Sequence, residues 1–218
     1  MKKQFDFSLY LVTDQKLSLG RPIEDVVRAA VKGGVTAVQI REKESTTKEF
    51  IKLAHNLQNI LKPQGVPLIV NDRIDIALAV DADGIHIGQT DMPYYEARRL
   101  VGNDMVIGLS VETMEQAIEA ENLDVDYISV SPVFLTPTKH DATNEWGLEG
   151  LRKLRSQSRK LLIAIGGINS SNAKAALESG ADGIAVVSAI CSAADPESAS
   201  RRLGEIIEQT RKEKGIGK

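Results

Sequence analysis

The stretch Ala37-Val38-Gln39-Ile40-Arg41-Glu42-Lys43 passes within a few residues from an apolar run to a burst of charge. Its first half reads as a buried strand and its second half as the loop at that strand's C-terminal end. The same form recurs along the chain, with apolar runs at residues 9–12, 67–70, 84–87, 105–107, 127–130, 161–165 and 184–187. Their trailing bursts are Thr13-Asp14, Asn71-Asp72, Gly88-Gln89-Thr90-Asp91, Ser110, Thr136-Pro137-Thr138-Lys139, Gly166-Gly167 and Ser188. A helix-like stretch follows each burst. If the runs are parallel strands, every burst lies at a C-terminal strand end and all gather at one rim, where strand–helix barrels place their chemistry.

The intervening helices have legible starts. Thr46-Thr47-Lys48-Glu49 is a capping box, in which Thr46 accepts the Glu49 amide and Glu49 reaches back to Thr46. Phe50, Leu53, Ala54, Leu57 and Leu61 then recur at helical spacing. Asp195-Pro196 reads as cap and first residue of the last helix, with Ala199, Leu203, Ile206 and Ile207 on its inner face. Ser170 is the expected cap of a helix containing Ala173, Ala176 and Leu177 that stops near Gly180.

Strand–helix alternation with near-continuous apolar strands indicates a parallel sheet buried on both faces. The chain has 218 residues, or roughly 27 for each of eight repeats, which suits one α/β barrel. No composition break or linker divides it. The expectation is a single-domain (β/α)8 TIM barrel over residues 1–218, with its core at about 7–210 and a frayed tail from 211 to 218. Closure into a barrel is preferred over an open doubly wound sheet.

The hydrophobic fraction of 42% can furnish such a core. A net charge of −3 gives no reason to expect nucleic acid, so an anion site must be a local cluster of cations. Cys191 is the only cysteine, which rules out an internal disulfide and fits a reducing compartment. The start, Met1-Lys2-Lys3-Gln4-Phe5-Asp6, lacks the apolar core of a signal peptide, and no run is long enough to span a bilayer. A cytoplasmic protein with no membrane partner is expected, and a homo-oligomer is left open.

Within a strand, alternate residues share a face, so Gln39, Arg41 and Lys43 line up together. Inward-facing cations are unfavourable unless an anion meets them, and an Arg fork with a Lys ammonium suits phosphate or diphosphate. The alternative pairs Arg41 and Lys43 with Glu42 and Glu44 in solvent. Asp72 and Asp91 follow neighbouring strands, and two such carboxylates suit Mg2+, which also takes waters and phosphate oxygens. Each aspartate has an alternative role as a helix cap. Gly166-Gly167 and Ser188 end the seventh and eighth runs, where barrels often bind phosphate. The longest loop, from Pro132 to Trp146, carries Thr136, Thr138 and Lys139, the makings of a lid over phosphates. His86 is read as a hydrogen-bonded packing residue, and Cys191 has no base to activate it. Taken alone, the rim describes an enzyme joining or rearranging two phosphorylated small molecules.

In order and spacing, these segments resemble the thiamine phosphate synthase family from Leu9 to about Gln209. The matching pieces are Tyr10-Leu11-Val12-Thr13-Asp14, Gln39-Ile40-Arg41-Glu42-Lys43, Asn71-Asp72, His86-Ile87-Gly88-Gln89-Thr90-Asp91, Ser110, Pro132-Val133-Phe134, Thr136-Pro137-Thr138-Lys139, Ile165-Gly166-Gly167-Ile168 and Val186-Val187-Ser188-Ala189-Ile190. The resemblance implies a transferase that joins a hydroxymethylpyrimidine diphosphate to a thiazole phosphate, releasing diphosphate. It implies Gln39, Ile40, Arg41, Glu42, Lys43, Asn71, Ser110 and Lys139 around the pyrimidine diphosphate, with Arg41, Lys43, Ser110 and Lys139 catalytic. It implies Thr136, Thr138, Gly167, Val187 and Ser188 around the thiazole phosphate, and Asp72 and Asp91 on Mg2+. The implied chemistry is dissociative: diphosphate leaves first, and the thiazole nitrogen traps the resulting cation.

Two residues depart from the family pattern. Glu112 stands where a histidine is frequent, and Ser131 where glycine is frequent. A thiazole tautomerase-like branch of the same superfamily is the nearest alternative, but it typically lacks the aspartate pair kept here. Another barrel isomerase would need an interior base, and none stands out. A non-catalytic binding barrel would leave the aspartates and cations without purpose.

Overall fold

Each apolar run forms a strand, and each strand bonds to the next in chain order until the last bonds to the first. The computed structural model describes residues 4–135 and 145–215. The strands are β1 (Leu9–Val12), β2 (Ala37–Ile40), β3 (Leu68–Asn71), β4 (Gly84–Ile87), β5 (Val106–Val111), β6 (Tyr127–Val130), β7 (Leu161–Ala164) and β8 (Gly183–Val186). All pair in parallel, and the ring closes through Leu9↔Ile184, Tyr10↔Ala185 and Leu11↔Val186. Around them lie α1 (Ile23–Lys32), α2 (Thr47–Leu61), α3 (Ile74–Ala79), α4 (Tyr94–Val101), α5 (Met114–Glu121), α6 (Gly147–Gln157), α7 (Ala173–Glu178), α8 (Ser188–Cys191) and α9 (Pro196–Glu213). The architecture is the expected (β/α)8 TIM barrel. Among the described residues, no helix is long and apolar enough to cross a membrane.

Period-two alternation sorts the strand side chains into two cores. Leu9, Leu11, Val38, Ile40, Leu68 and Val70 face outward and pack under the helices. Tyr10, Ala37, Ile69, Val106 and Tyr127 face inward and, with Phe7 from the segment before β1, fill the ring. Along four of the inward rows the residues become polar toward the C-terminal rim. Ala37 gives way to Gln39 and Arg41, Ile69 to Asn71, Val106 to Ser110, and Tyr127 to Ser129. The ring is thus apolar at its base and polar at its mouth. Gly108 makes room for the largest interior ring, because a Cβ there would lie 2.0 Å from Tyr127 Cζ.

The capping box of α2 forms as read: Thr46 Oγ1 accepts from the Glu49 amide at 3.3 Å, and the Thr46 amide donates to Glu49 Oε2 at 3.0 Å. Such a cap contributes ~1 kcal/mol. A second box, Thr113 with Gln116, starts α5 and carries the same sequence signature. Asp195 caps α9 by accepting the Ser198 amide at 3.1 Å.

Two local expectations need correction and a third needs an addition. Ser170 does not cap α7, whose preceding residue is Asn172. Asn169 and Asn172 instead fold residues 169–172 into their own turn, with Asn172 Oδ1 accepting the Asn169 amide at 2.8 Å. Leu203, Ile206 and Ile207 pack against the core from α9 as expected, Ala199 is partly buried, and Ser200 and Thr210 are buried beside them. These hydroxyls tolerate burial because they donate at 2.7 Å to the carbonyls of Pro196 and Ile206 one turn back. Residues 211–213, expected to fray, are helical instead. Helix α9 runs to Glu213, held by Arg211 donating to the Asp182 carbonyl and Lys214 donating to that of Leu177.

At the opposite, N-terminal end of the barrel a repeated clip appears. Thr36, Asp83, Asp126 and Asp182 each precede an even-numbered strand. Each accepts a backbone amide near the start of the preceding odd-numbered strand, from Leu9, Leu68, Ile107 and Leu162, at 2.8 to 3.1 Å. The clips set the stagger of neighbouring strands at the base and leave the rim free for chemistry.

Candidate active site

The inward rows end around a cavity of about 620 Å³ at the C-terminal rim. That volume falls in the range of small-molecule sites. Gln39, Arg41, Lys43, Asn71, Asp72, Asp91, Ser110, Gly167, Val187 and Ser188 all line it. These are residues the sequence reading assigns to the site, and they come from six of the eight strand ends.

Just past Ile40 the chain is tied to Thr13, the residue that follows β1. The Thr13 amide donates to the Gln39 carbonyl at 2.9 Å, and the Arg41 amide donates to Thr13 Oγ1 at 3.1 Å. Gln39, Arg41 and Lys43 all reach the cavity. Arg41 Nη1 lies 3.7 Å from Asp14 Oδ2, and Lys43 Nζ pairs with Asp72. Glu44 pairs with Lys16, and Glu42 accepts from Ser45 Oγ at 2.7 Å. The alternative of solvent pairing with Glu42 and Glu44 is not what the fold adopts.

The same alternation limits how two of the expected binding residues can meet a ligand. Ile40 is fully buried in the outer core, and neither its side chain nor that of Glu42 belongs to the cavity wall. Only their backbone remains available to a ligand in that loop. Thr136, Thr138 and Lys139 lie outside the described residues.

Asp72 follows β3 with φ +57°, a left-handed conformation that aspartate tolerates better than most side chains. This turns its carboxylate back over the rim rather than along the next helix. Asp91 Oδ2 accepts the Gly88 amide at 2.7 Å, which fixes it over the end of β4. Neither residue caps: α3 and α4 follow Arg73 and Pro93, with no side-chain cap bond. Burial is the largest influence on Asp72 and lifts its pKa above the ordinary carboxylate value; Lys43 opposes this and the adjacent Asp91 carboxyl adds to it. Among the described residues no cluster of three or more His, Cys, Asp or Glu forms a metal cage. Two neighbouring carboxylates without further protein ligands fit Mg2+, which prefers to keep waters and to take phosphate oxygens.

Gly166 and Gly167 have φ of +95° and +65°, and a Cβ at either would lie within 2.8 Å of Pro132 or Phe134. The β7 rim therefore presents bare backbone to the cavity beside Val187 and Ser188. Glu112 and Ser131, which depart from the family pattern, also line the cavity. Cys191 is buried with Sγ 3.8 Å from the Val12 carbonyl, and burial pushes its thiol up to about 11. It is no nucleophile at neutral pH.

Sequence reasoning missed the floor of the cavity. Gln39 Nε2 donates to Tyr10 Oη at 2.8 Å, and Tyr10 Oη lies 2.9 Å from Tyr127 Oη. Tyr127 Oη lies 3.0 Å from His86 Nδ1, and His86 Nε2 lies 2.8 Å from Ser110 Oγ. Polar residues at inward strand positions, with Gly108 opposite a tyrosine, were the available signal. His86 is the hydrogen-bonded packing residue it was expected to be.

Comparison with known proteins agrees with this geometry. The family model for thiamine monophosphate synthase matches residues 9–190. The thiamine-phosphate synthase of Albidiferax ferrireducens is 54% identical over 92% of this chain and 91% of its own length. That of Syntrophomonas wolfei is 54% identical over 94% of this chain and 98% of its own. The solved thiamine phosphate pyrophosphorylase from Pyrococcus furiosus superposes with a TM-score of 0.87 at 40% identity, covering 94% of this chain and 96% of that one. Identity at this level over more than nine-tenths of the chain exceeds what a shared fold requires, and the chain belongs to the thiamine monophosphate synthase family, whose members are transferases.

Proposed function

We propose that this chain joins 4-amino-2-methyl-5-hydroxymethylpyrimidine diphosphate to a thiazole phosphate, giving thiamine phosphate and diphosphate. The observation that carries this reading is the meeting of Arg41, Lys43, Asp72 and Asp91 on one cavity wall. Gln39, Asn71 and Ser110 hold the pyrimidine, while Arg41, Lys43 and Lys139 grip its diphosphate. Thr136, Thr138, Gly167, Val187 and Ser188 receive the thiazole phosphate. Asp72 and Asp91 hold Mg2+, which when bound neutralises charge on the departing diphosphate.

In the reaction, the bond from the pyrimidine methylene carbon to the diphosphate oxygen breaks, and both electrons leave with the oxygen. The thiazole nitrogen then donates its lone pair to the methylene cation, forming the new carbon–nitrogen bond. Arg41, Lys43 and Lys139 match the charge that grows on the leaving oxygen, which is electrostatic rather than proton-transfer catalysis. No side chain needs to act as nucleophile, which suits a rim whose one nearby thiol is held protonated. A single buried cysteine also suits a cytoplasmic site of action.

The test combines purified protein, Mg2+ and both phosphorylated halves, and measures thiamine phosphate together with released diphosphate. Formation of both supports the reading. Thiazole tautomerisation without coupling would overturn it in favour of the related isomerase branch. Lys139→Ala should lower turnover by ~10²–10³, the usual loss for one well-placed donor, with little change in Tm. Unchanged turnover, or a collapse of the melt, would remove Lys139 from the diphosphate clamp.

A further inference from the structure

The bonds beneath the cavity form a continuous line across the ring: Gln39, Tyr10, Tyr127, His86, Ser110. It starts on β2 and ends on β5, and both terminal residues line the cavity. Gln39, Tyr10, Tyr127 and His86 are each at least nine-tenths buried. The rings are also held by packing. Phe7 lies 4.6 Å from the Tyr127 ring centroid, Tyr10 meets it edge-on at 5.8 Å, and His86 stacks on it at 5.6 Å.

Each phenol has one proton to donate, and burial pushes both tyrosines far above their ordinary pKa, so neither loses it. Counting protons then gives the line a direction. Gln39 Nε2 donates to Tyr10, which spends its proton on Tyr127, which spends its own on His86 Nδ1. His86 must carry its remaining proton on Nε2 and donate to Ser110 Oγ. At the two ends this leaves Gln39 Oε1 as an acceptor and the Ser110 hydroxyl proton as a donor.

We propose that Tyr10, Tyr127 and His86 are positioning residues that couple the hydrogen-bonding sense of Gln39 to that of Ser110, so that the site selects an aminopyrimidine over its oxo counterpart. An aminopyrimidine offers an amine N–H beside a bare ring nitrogen, which matches an acceptor at Gln39 and a donor at Ser110. The oxo form offers a carbonyl beside a ring N–H, the reverse pattern. Accepting it requires every bond in the line to invert together. This inference rests on the pyrimidine substrate proposed above and adds the device that recognises it.

Calorimetric titration with the 4-amino pyrimidine diphosphate and its 4-oxo analogue, in Mg2+ and without thiazole, tests the line. The wild type should prefer the amine by on the order of a hundredfold, the penalty for leaving buried polar groups mismatched. Tyr127→Phe breaks the line in the middle and Tyr10→Phe breaks it beside Gln39. Each keeps its ring, and each should reduce the preference to within about threefold, because the Gln39 amide can then turn independently of Ser110. A purely structural role would weaken both probes alike and preserve the ratio. An unchanged ratio in both variants, or a wild type without preference, would overturn the line alone. Binding of neither probe to the wild type would overturn the substrate assignment and the line with it.

Discussion

Asp72→Asn is expected to lower turnover by ~10²–10³ while moving Tm by no more than about 2 °C. The charge matters because Asp72 and Asp91 form the proposed Mg2+ pair, and an amide is a far weaker ligand for a hard cation than a carboxylate. Asparagine is the informative replacement for a backbone reason as well. Position 72 has φ +57°, and asparagine is among the few side chains that accept this conformation. The fold should therefore be retained.

Electrostatics points the same way. A carboxyl whose folded pKa lies above its ordinary value binds its proton more tightly when folded, so it disfavours folding once the pH passes above that range. Burial lifts Asp72 in this sense and Asp91 adds to it, with Lys43 only opposing. Removing the charge at pH 7 thus removes a small penalty, and Tm should hold or rise slightly. Steady-state kinetics across a Mg2+ titration, beside a thermal melt, provides the check. Full activity at ordinary Mg2+ would remove Asp72 from the metal pair. A large fall in Tm would mean that the carboxylate is structural.

Gly108→Ala is expected to destabilise the barrel by about 3 kcal/mol, lowering Tm by about 6–12 °C in a chain of this size. A single methyl group would normally be tolerated on a strand. Here it would stand 2.0 Å from Cζ and 2.3 Å from Oη of Tyr127, which is fully buried. The ring cannot retreat, since Phe7, Tyr10 and His86 close it in on three sides. The methyl group should therefore displace the ring or bend β5, and either change breaks the line to Ser110. Pairing Gly108→Ala with Tyr127→Leu separates overpacking from loss of the hydroxyl. The double variant should melt higher than the sum of the single losses predicts, because the two sites share one space. A Tm within 2 °C of wild type for Gly108→Ala would sink the steric account.

Much of this molecule is local information. The runs at residues 9–12, 37–40, 84–87 and 127–130 coincide with β1, β2, β4 and β6. The period of two along Gln39, Arg41 and Lys43 places them on the cavity side, as read. That same period, carried through, would have kept Ile40 out of the cavity, since it lies between two inward positions. The helix caps at Thr46 and Asp195 were legible because a cap involves residues three apart and little else. The clips at Asp83, Asp126 and Asp182 were present as an aspartate before each of three even strands, but their meaning depends on a neighbour 15 to 20 residues away.

By itself the sequence determined the strand order, the closed-barrel class, the polar rim and the family, because each depends on short-range periodicity or on residues kept in order along the chain. Only the tertiary structure decided which way Asp72 points and that Gln39 and Ser110 are joined beneath the cavity. That line crosses sequence separations of 29, 117, 41 and 24 residues. Such contacts exist only once the ring has closed and its inward rows face one another, and no window of sequence contains them.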